Sequence, residues 1–82
     1  MKLLKFYADW CKPCATLSKT LEHFTLIPIV PLNVDVEQEL SVKYSIRNLP
    51  TVILVDENNK ELFRRSGLVT ISELHNKINE FS

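Results

Sequence analysis

Two cysteines, Cys11 and Cys14, are the residues of this 82-residue chain whose type and spacing could do chemistry. They enclose Lys12 and Pro13 in the run Trp10-Cys11-Lys12-Pro13-Cys14. Three residues is nearly one turn of helix, so both sulfurs can lie on one side and close a small-loop disulfide. At the start of a helix, Cys11 stands where unpaired N–H groups and the macrodipole favour a thiolate. Cys14 then lies one turn inside and is more shielded. That asymmetry points to Cys11 as the nucleophile and Cys14 as the resolving thiol. Pro13 fits the first helical turn, where its missing N–H is no loss, and it stiffens the pair. A loop this short constrains little unfolded chain, which argues against a purely structural staple. Zinc needs four ligands, and the other soft candidates, His23 and His75, stand far from any ligand-pair spacing. No metal is expected. His23 reads as a surface residue in the last turn of its helix, and His75 as part of the polar stripe of the final helix.

The elements that must hold this run follow from apolar spacing. Lys2 to Tyr7 reads as a buried strand leading into the cysteines. Leu17, Leu21 and Phe24 form one face of a helix over 13–24. Ile29 to Val34 reads as a second strand, and Pro31 within it demotes that strand to a sheet edge. Glu37 to Tyr44 is a short helix with Val36, Leu40 and Tyr44 on one side. Thr51 to Asp56 is almost wholly apolar and β-branched, the pattern of a strand covered on both faces. Residues 57–60 are a turn, and Glu61 to Ser66 returns as a hairpin partner. Thr70 to Glu73 reads as a capping box, opening a helix with Ile71, Leu74, Ile78 and Phe81 on one face. The order is β-α-β-α-β-β-α, an α/β fold. Its first half is a right-handed crossover between parallel strands. A single domain over 1–82 is expected, with a four-stranded mixed sheet and three helices on both faces.

Composition narrows the function. Ten basic and ten acidic side chains give a formal net charge of zero, so no basic surplus points to nucleic acid. The longest apolar run is Val52 to Val55, too short to cross a membrane. Lys2 and Lys5 interrupt the start, so no signal-peptide core is read there, and a cytoplasmic location is expected. In a reducing compartment a Cys-x-x-Cys pair in a βαβ setting is a redox signal.

At these residues the chain resembles the thioredoxin family. Phe6-Tyr7-Ala8-Asp9-Trp10-Cys11-Lys12-Pro13-Cys14 is similar to the family's active-site segment, and Leu32-Asn33-Val34-Asp35 to its following strand. Tyr44 to Thr51 resembles the segment carrying the family's cis-proline, here Pro50, and Ser66-Gly67 falls at its groove glycine. The resemblance implies reversible thiol–disulfide exchange on protein substrates, with Cys11 attacking and Cys14 resolving the mixed disulfide. It implies a groove framed by Trp10, Leu49, Pro50 and Gly67, with Pro50 in cis presenting the backbone of Leu49 for strand-like pairing. It further implies a monomer without a bound cofactor. Its redox-active Cys11–Cys14 disulfide would be recycled by an external donor, a thioredoxin reductase or similar.

The departures from the family pattern are local. The usual strand and helix before the first strand are missing, which leaves Ile29–Val34 as an edge in the spatial order 28–34, 2–7, 51–56, 61–66. Lys12 replaces the usual glycine between the cysteines. Ser45 and Asn48 replace two glycines, Asn48 being the tolerable residue for a positive φ. Ser66 replaces an apolar groove residue. Lys5 stands where the family has a buried acid, with Pro31 in place of that acid's lysine neighbour. Two readings of Lys5 compete: its ammonium reaches the lower rim, or it points at the cavity beneath Cys14. Two rival functions also follow. One is a glutaredoxin-like enzyme using glutathione, for which Arg47 and Lys12 are the only local cations. The other is a thioredoxin-fold binding subunit with dispensable cysteines.

Overall fold

A computed structural model describes residues 1–82. Its elements are β1 (Lys2–Tyr7), α1 (Lys12–Thr20), β2 (Ile29–Asn33), α2 (Gln38–Lys43), β3 (Thr51–Val55), β4 (Glu61–Ser66) and α3 (Ile71–Phe81). The four strands form one sheet in the order β2-β1-β3-β4. β1 pairs parallel with β2 and antiparallel with β3, and β3 pairs antiparallel with β4. The expected order and mixed character are therefore what the chain adopts. All five residues of β3 are buried, as a strand covered on both faces requires. Pro31 lies on the outer strand and is exposed there, where its lack of an N–H leaves no donor unmatched in the sheet.

Alternation along β1 divides the core between the two faces. Leu3 joins Val52, Leu54, Leu17 and Leu21 of the α1 side and Leu74 and Ile78 of α3 in one buried cluster. Leu4 and Phe6 point the other way, onto Leu32, Ile53, Val55 and Tyr44 beside α2. A sheet with apolar faces on both sides thus receives α1 and α3 on one and α2 on the other.

Several local readings need correction. α1 ends at Thr20, not at Phe24: Leu21 and Phe24 keep their inward face, but in a turn closed by the Phe24 N–H on the Leu21 carbonyl at 3.0 Å. His23 consequently lies beyond the helix. α2 is one residue shorter at each end than its apolar pattern suggests, and Val36 is 73% exposed instead of sharing the face of Leu40 and Tyr44. Phe81 is likewise exposed at the fraying end of α3. Thr70 caps α3 by accepting the Glu73 N–H at 3.1 Å, but the Glu73 carboxylate turns away to Arg65. The capping box is half made because a guanidinium outcompetes a backbone N–H for that carboxylate.

The left-handed residue near Pro50 is Ser45 (φ 53°), not Asn48. Ser45 follows the end of α2, where its N–H bonds the Val42 carbonyl and the Ile46 N–H bonds that of Ser41, at 3.0 and 2.9 Å. This pair of bonds is the Schellman closure of a helix, and it demands positive φ at that position whatever residue occupies it.

Candidate redox site

The cysteines sit where β1 hands the chain to α1. Ala8 accepts the Cys11 N–H at 3.2 Å, turning the chain so that Cys11 becomes the residue that caps α1. Its own sulfur performs the capping: Cys11 Sγ accepts the Cys14 N–H at 3.2 Å. Pro13 occupies the first turn. Cys11 and Cys14 are joined as a disulfide, with Cα atoms 5.2 Å apart. Both are buried, at 8% and 4% exposure, so the expected difference in shielding does not rest on area. It rests on what each faces. Cys11 borders both a broad groove and a smaller hollow behind it, whereas Cys14 borders only the hollow.

The groove measures about 520 Å³. It is lined by Trp10, Lys12 and Pro13 from the turn into α1, by Ile46, Arg47, Asn48 and Leu49 from the segment before β3, and by Val34 and Ser41. Trp10 is 70% exposed and belongs to the rim, not the core. Its indole N–H donates to Asp35 Oδ2 at 3.1 Å, which fixes the ring. Asp35 is held in turn by a turn built on Asn33, whose Oδ1 accepts the Asp35 N–H at 2.9 Å. Asp35 is the residue that sequence reasoning missed. The segment Asn33-Val34-Asp35 carries an Asx-turn signal, but nothing in it names a partner 25 residues away.

Leu49–Pro50 is cis, as the resemblance implied, but Pro50 is fully buried and does not itself line the groove. The N–H and C=O of Leu49 make no hydrogen bond within the chain, and Leu49 lines the groove. The Pro50 carbonyl accepts the Gly67 N–H at 2.7 Å, so Gly67 supports this segment from the end of β4 without lining the groove itself. Gly67 has φ 86°, and an added Cβ would meet nothing within 4 Å, so backbone conformation alone restricts this position.

Lys5 lies on the α1 face of β1, paired in register with Pro31 and Val52. Its ammonium donates to Ser18 Oγ at 3.0 Å and lies 5.9 Å from the Tyr7 ring. Ser18 borders the hollow that also contacts Cys14. The stem runs along the core, and the head reaches a hydroxyl one helical turn from Cys14. Partial burial holds the Lys5 ammonium below the usual lysine range.

This arrangement is that of a dithiol–disulfide oxidoreductase fold, and comparison with known proteins gives its family. The thioredoxin family model matches residues 1–80. A thioredoxin of Haemophilus influenzae is 30% identical over 95% of this chain and 77% of its own length. One of Chlamydia pneumoniae is 33% identical over 95% of this chain and 79% of its own. A solved mutant thioredoxin from Halobacterium salinarum superposes with a TM-score of 0.85 at 30% identity, covering 98% of this chain and 73% of that one. The chain belongs to the thioredoxin family and is a thiol–disulfide oxidoreductase. No helix is long and apolar enough to cross a membrane.

Proposed function

We propose that the chain reduces protein disulfides, with Cys11 attacking and Cys14 resolving. The observation that carries this reading is the position of Cys11, a helix-capping sulfur opening onto a groove that Leu49, with its backbone unpaired within the chain, also lines. An extended substrate segment pairs with Leu49 as an added strand and rests against Trp10. The Cys11 thiolate, favoured by the Cys14 N–H and the start of α1, attacks one substrate sulfur and expels the other as a thiolate. The Cys14 thiolate then attacks Cys11 Sγ, releasing the second substrate sulfur and leaving the Cys11–Cys14 disulfide. Two electrons pass from the protein dithiol to the substrate. Pro13 keeps the first turn of α1 rigid while the pair cycles.

Lys5 acts in this reading as a positioning residue. Through Ser18 it keeps a positive charge on the side of α1 that faces the hollow behind Cys14, which favours the resolving thiolate. The chain works as a monomeric single unit in the cytoplasm, without a resident cofactor, nucleic acid or membrane partner. A flavoprotein thioredoxin reductase or a similar donor returns it to the dithiol. Reduction of insulin disulfides tests the assignment, with NADPH and thioredoxin reductase in one arm and reduced glutathione in the other. Turnover in the first arm alone is expected. Turnover with glutathione alone would favour the glutaredoxin-like alternative, and none in either arm would leave a binding subunit.

A further inference from the structure

The charges on the groove are of one sign. Lys12, next to Cys11, and Arg47, from the segment before Leu49, both line it, and no acidic side chain does. Both are exposed and neither makes an ion pair or a hydrogen bond. The chain's other two arginines are committed elsewhere, Arg64 to Glu61 and Arg65 to Glu73. None of the acids nearest the site is among the residues that line the groove. Asp35 is bound by the Trp10 indole, Asp9 borders the hollow behind the cysteines, and Glu37 and Glu39 border a separate depression with Val36. A chain of zero net charge therefore presents two free cations beside the sulfur that meets the substrate. The same lining carries the apolar side chains of Trp10, Val34, Ile46 and Leu49.

We propose that this groove selects disulfides in extended segments with an acidic residue beside the attacked cysteine, its carboxylate read by Lys12 and Arg47. The inference rests on the oxidoreductase reading of the same groove and specifies its substrate. A segment lying along Leu49 with its sulfur at Cys11 enters a groove that both cations line, so a carboxylate adjoining that sulfur comes within their reach. Exposed charges of this kind steer encounter more than they hold the complex, so the preference belongs to the second-order rate and weakens with salt. The exchange itself is unchanged: the Cys11 thiolate opens the peptide disulfide, and Cys14 releases the second peptide thiol.

Three symmetrical peptide disulfides, identical except for Asp, Gln or Lys on each side of the cysteine, provide the test. Pre-reduced protein in excess is mixed with each, quenched in acid, and the released peptide thiol measured. Each rate constant is divided by that for dithiothreitol on the same peptide, which removes intrinsic reactivity. The Asp peptide is expected to react about five- to tenfold faster than the Lys peptide at low salt, the size of two exposed charge contacts. That ratio falls below about threefold at about 0.5 M salt, where the Debye length is a few ångströms. In Lys12→Gln/Arg47→Gln the ratio approaches one, and in Lys12→Glu/Arg47→Glu it inverts. Equal rates for the three peptides, or a ratio untouched by these substitutions, would overturn the proposal while leaving the oxidoreductase reading intact. No reaction with any peptide would instead remove that reading, and the proposal with it.

Discussion

Cys11 caps α1 with its own sulfur, and that contact separates it chemically from Cys14. A backbone N–H aimed at Cys11 Sγ stabilises charge there, whereas Cys14 lies within the helix and faces only the hollow behind it. In the reduced protein a limiting amount of iodoacetamide is expected to modify Cys11 first, as read by peptide mass mapping; prior modification of Cys14 would reverse the assignment. Lys5 allows a second prediction, in pH. Burial lowers its pKa in the folded chain from 10.5, so between the folded and unfolded values the unfolded state binds more protons and stability rises with pH. Below that interval the charged ammonium burdens the fold in full. Lys5→Met should therefore be more stable than the parent at pH 7, by an amount that shrinks as pH rises through the folded value toward 10.5. Urea titrations at pH 7 and about pH 10.5 check this, and a difference independent of pH would count against it. In the parent, the burial burden is the counterpart of holding a cation near Cys14.

At the scale of elements, α1 and α3 are each placed by two buried apolar or sulfur side chains, and each starts on one side-chain cap, Cys11 and Thr70. Leu17 is completely buried between α1 and the sheet, in contact with the cluster that also receives α3. Leu17→Ala should lower stability by about 2–5 kcal/mol in urea unfolding, a large fraction of what a domain this small possesses. Thr70→Ala removes the acceptor for the Glu73 N–H and should cost about 1 kcal/mol, measured the same way, while thiol exchange proceeds as before. What was legible at this scale was whatever depends on period. β3 announced itself by an unbroken β-branched run, and Pro31 marked the edge strand because a central strand cannot lose a donor. What was not legible depends on closure. The apolar face of α1 continues past its end because a turn can present Leu21 and Phe24 as a helix would. Residue preference favours Asn48 over Ser45 for a positive φ, yet Ser45 adopts it, because the requirement arises from how α2 terminates. Ser45 accepts the conformation that the helix end imposes.

Across the whole molecule, the site is an assembly of separate junctions: the β1–α1 turn gives the cysteines and Trp10, the β2–α2 loop gives Asp35, and the segment before β3 gives Leu49, with Pro50 next to it buried outside the groove lining. The strand order brings these together because β1 lies between β2 and β3. The cysteines, the rim tryptophan and the cis proline could be read from a short contiguous run and a family pattern. The Trp10–Asp35 contact could not, since it joins loops that only the parallel pairing of β1 and β2 places side by side. The most direct test is to trap the exchange intermediate. Cys14→Ser and Cys11→Ser, each reduced, are mixed with a disulfide-containing protein and quenched with a thiol-blocking reagent. Their products are then resolved by non-reducing electrophoresis and mass spectrometry. Cys14→Ser is expected to accumulate a mixed disulfide through Cys11 that dithiothreitol reverses, and Cys11→Ser to form little or none. An adduct forming equally well through Cys14 in the Cys11→Ser protein, or no adduct with either, would contradict the assignment of Cys11 as the attacking sulfur.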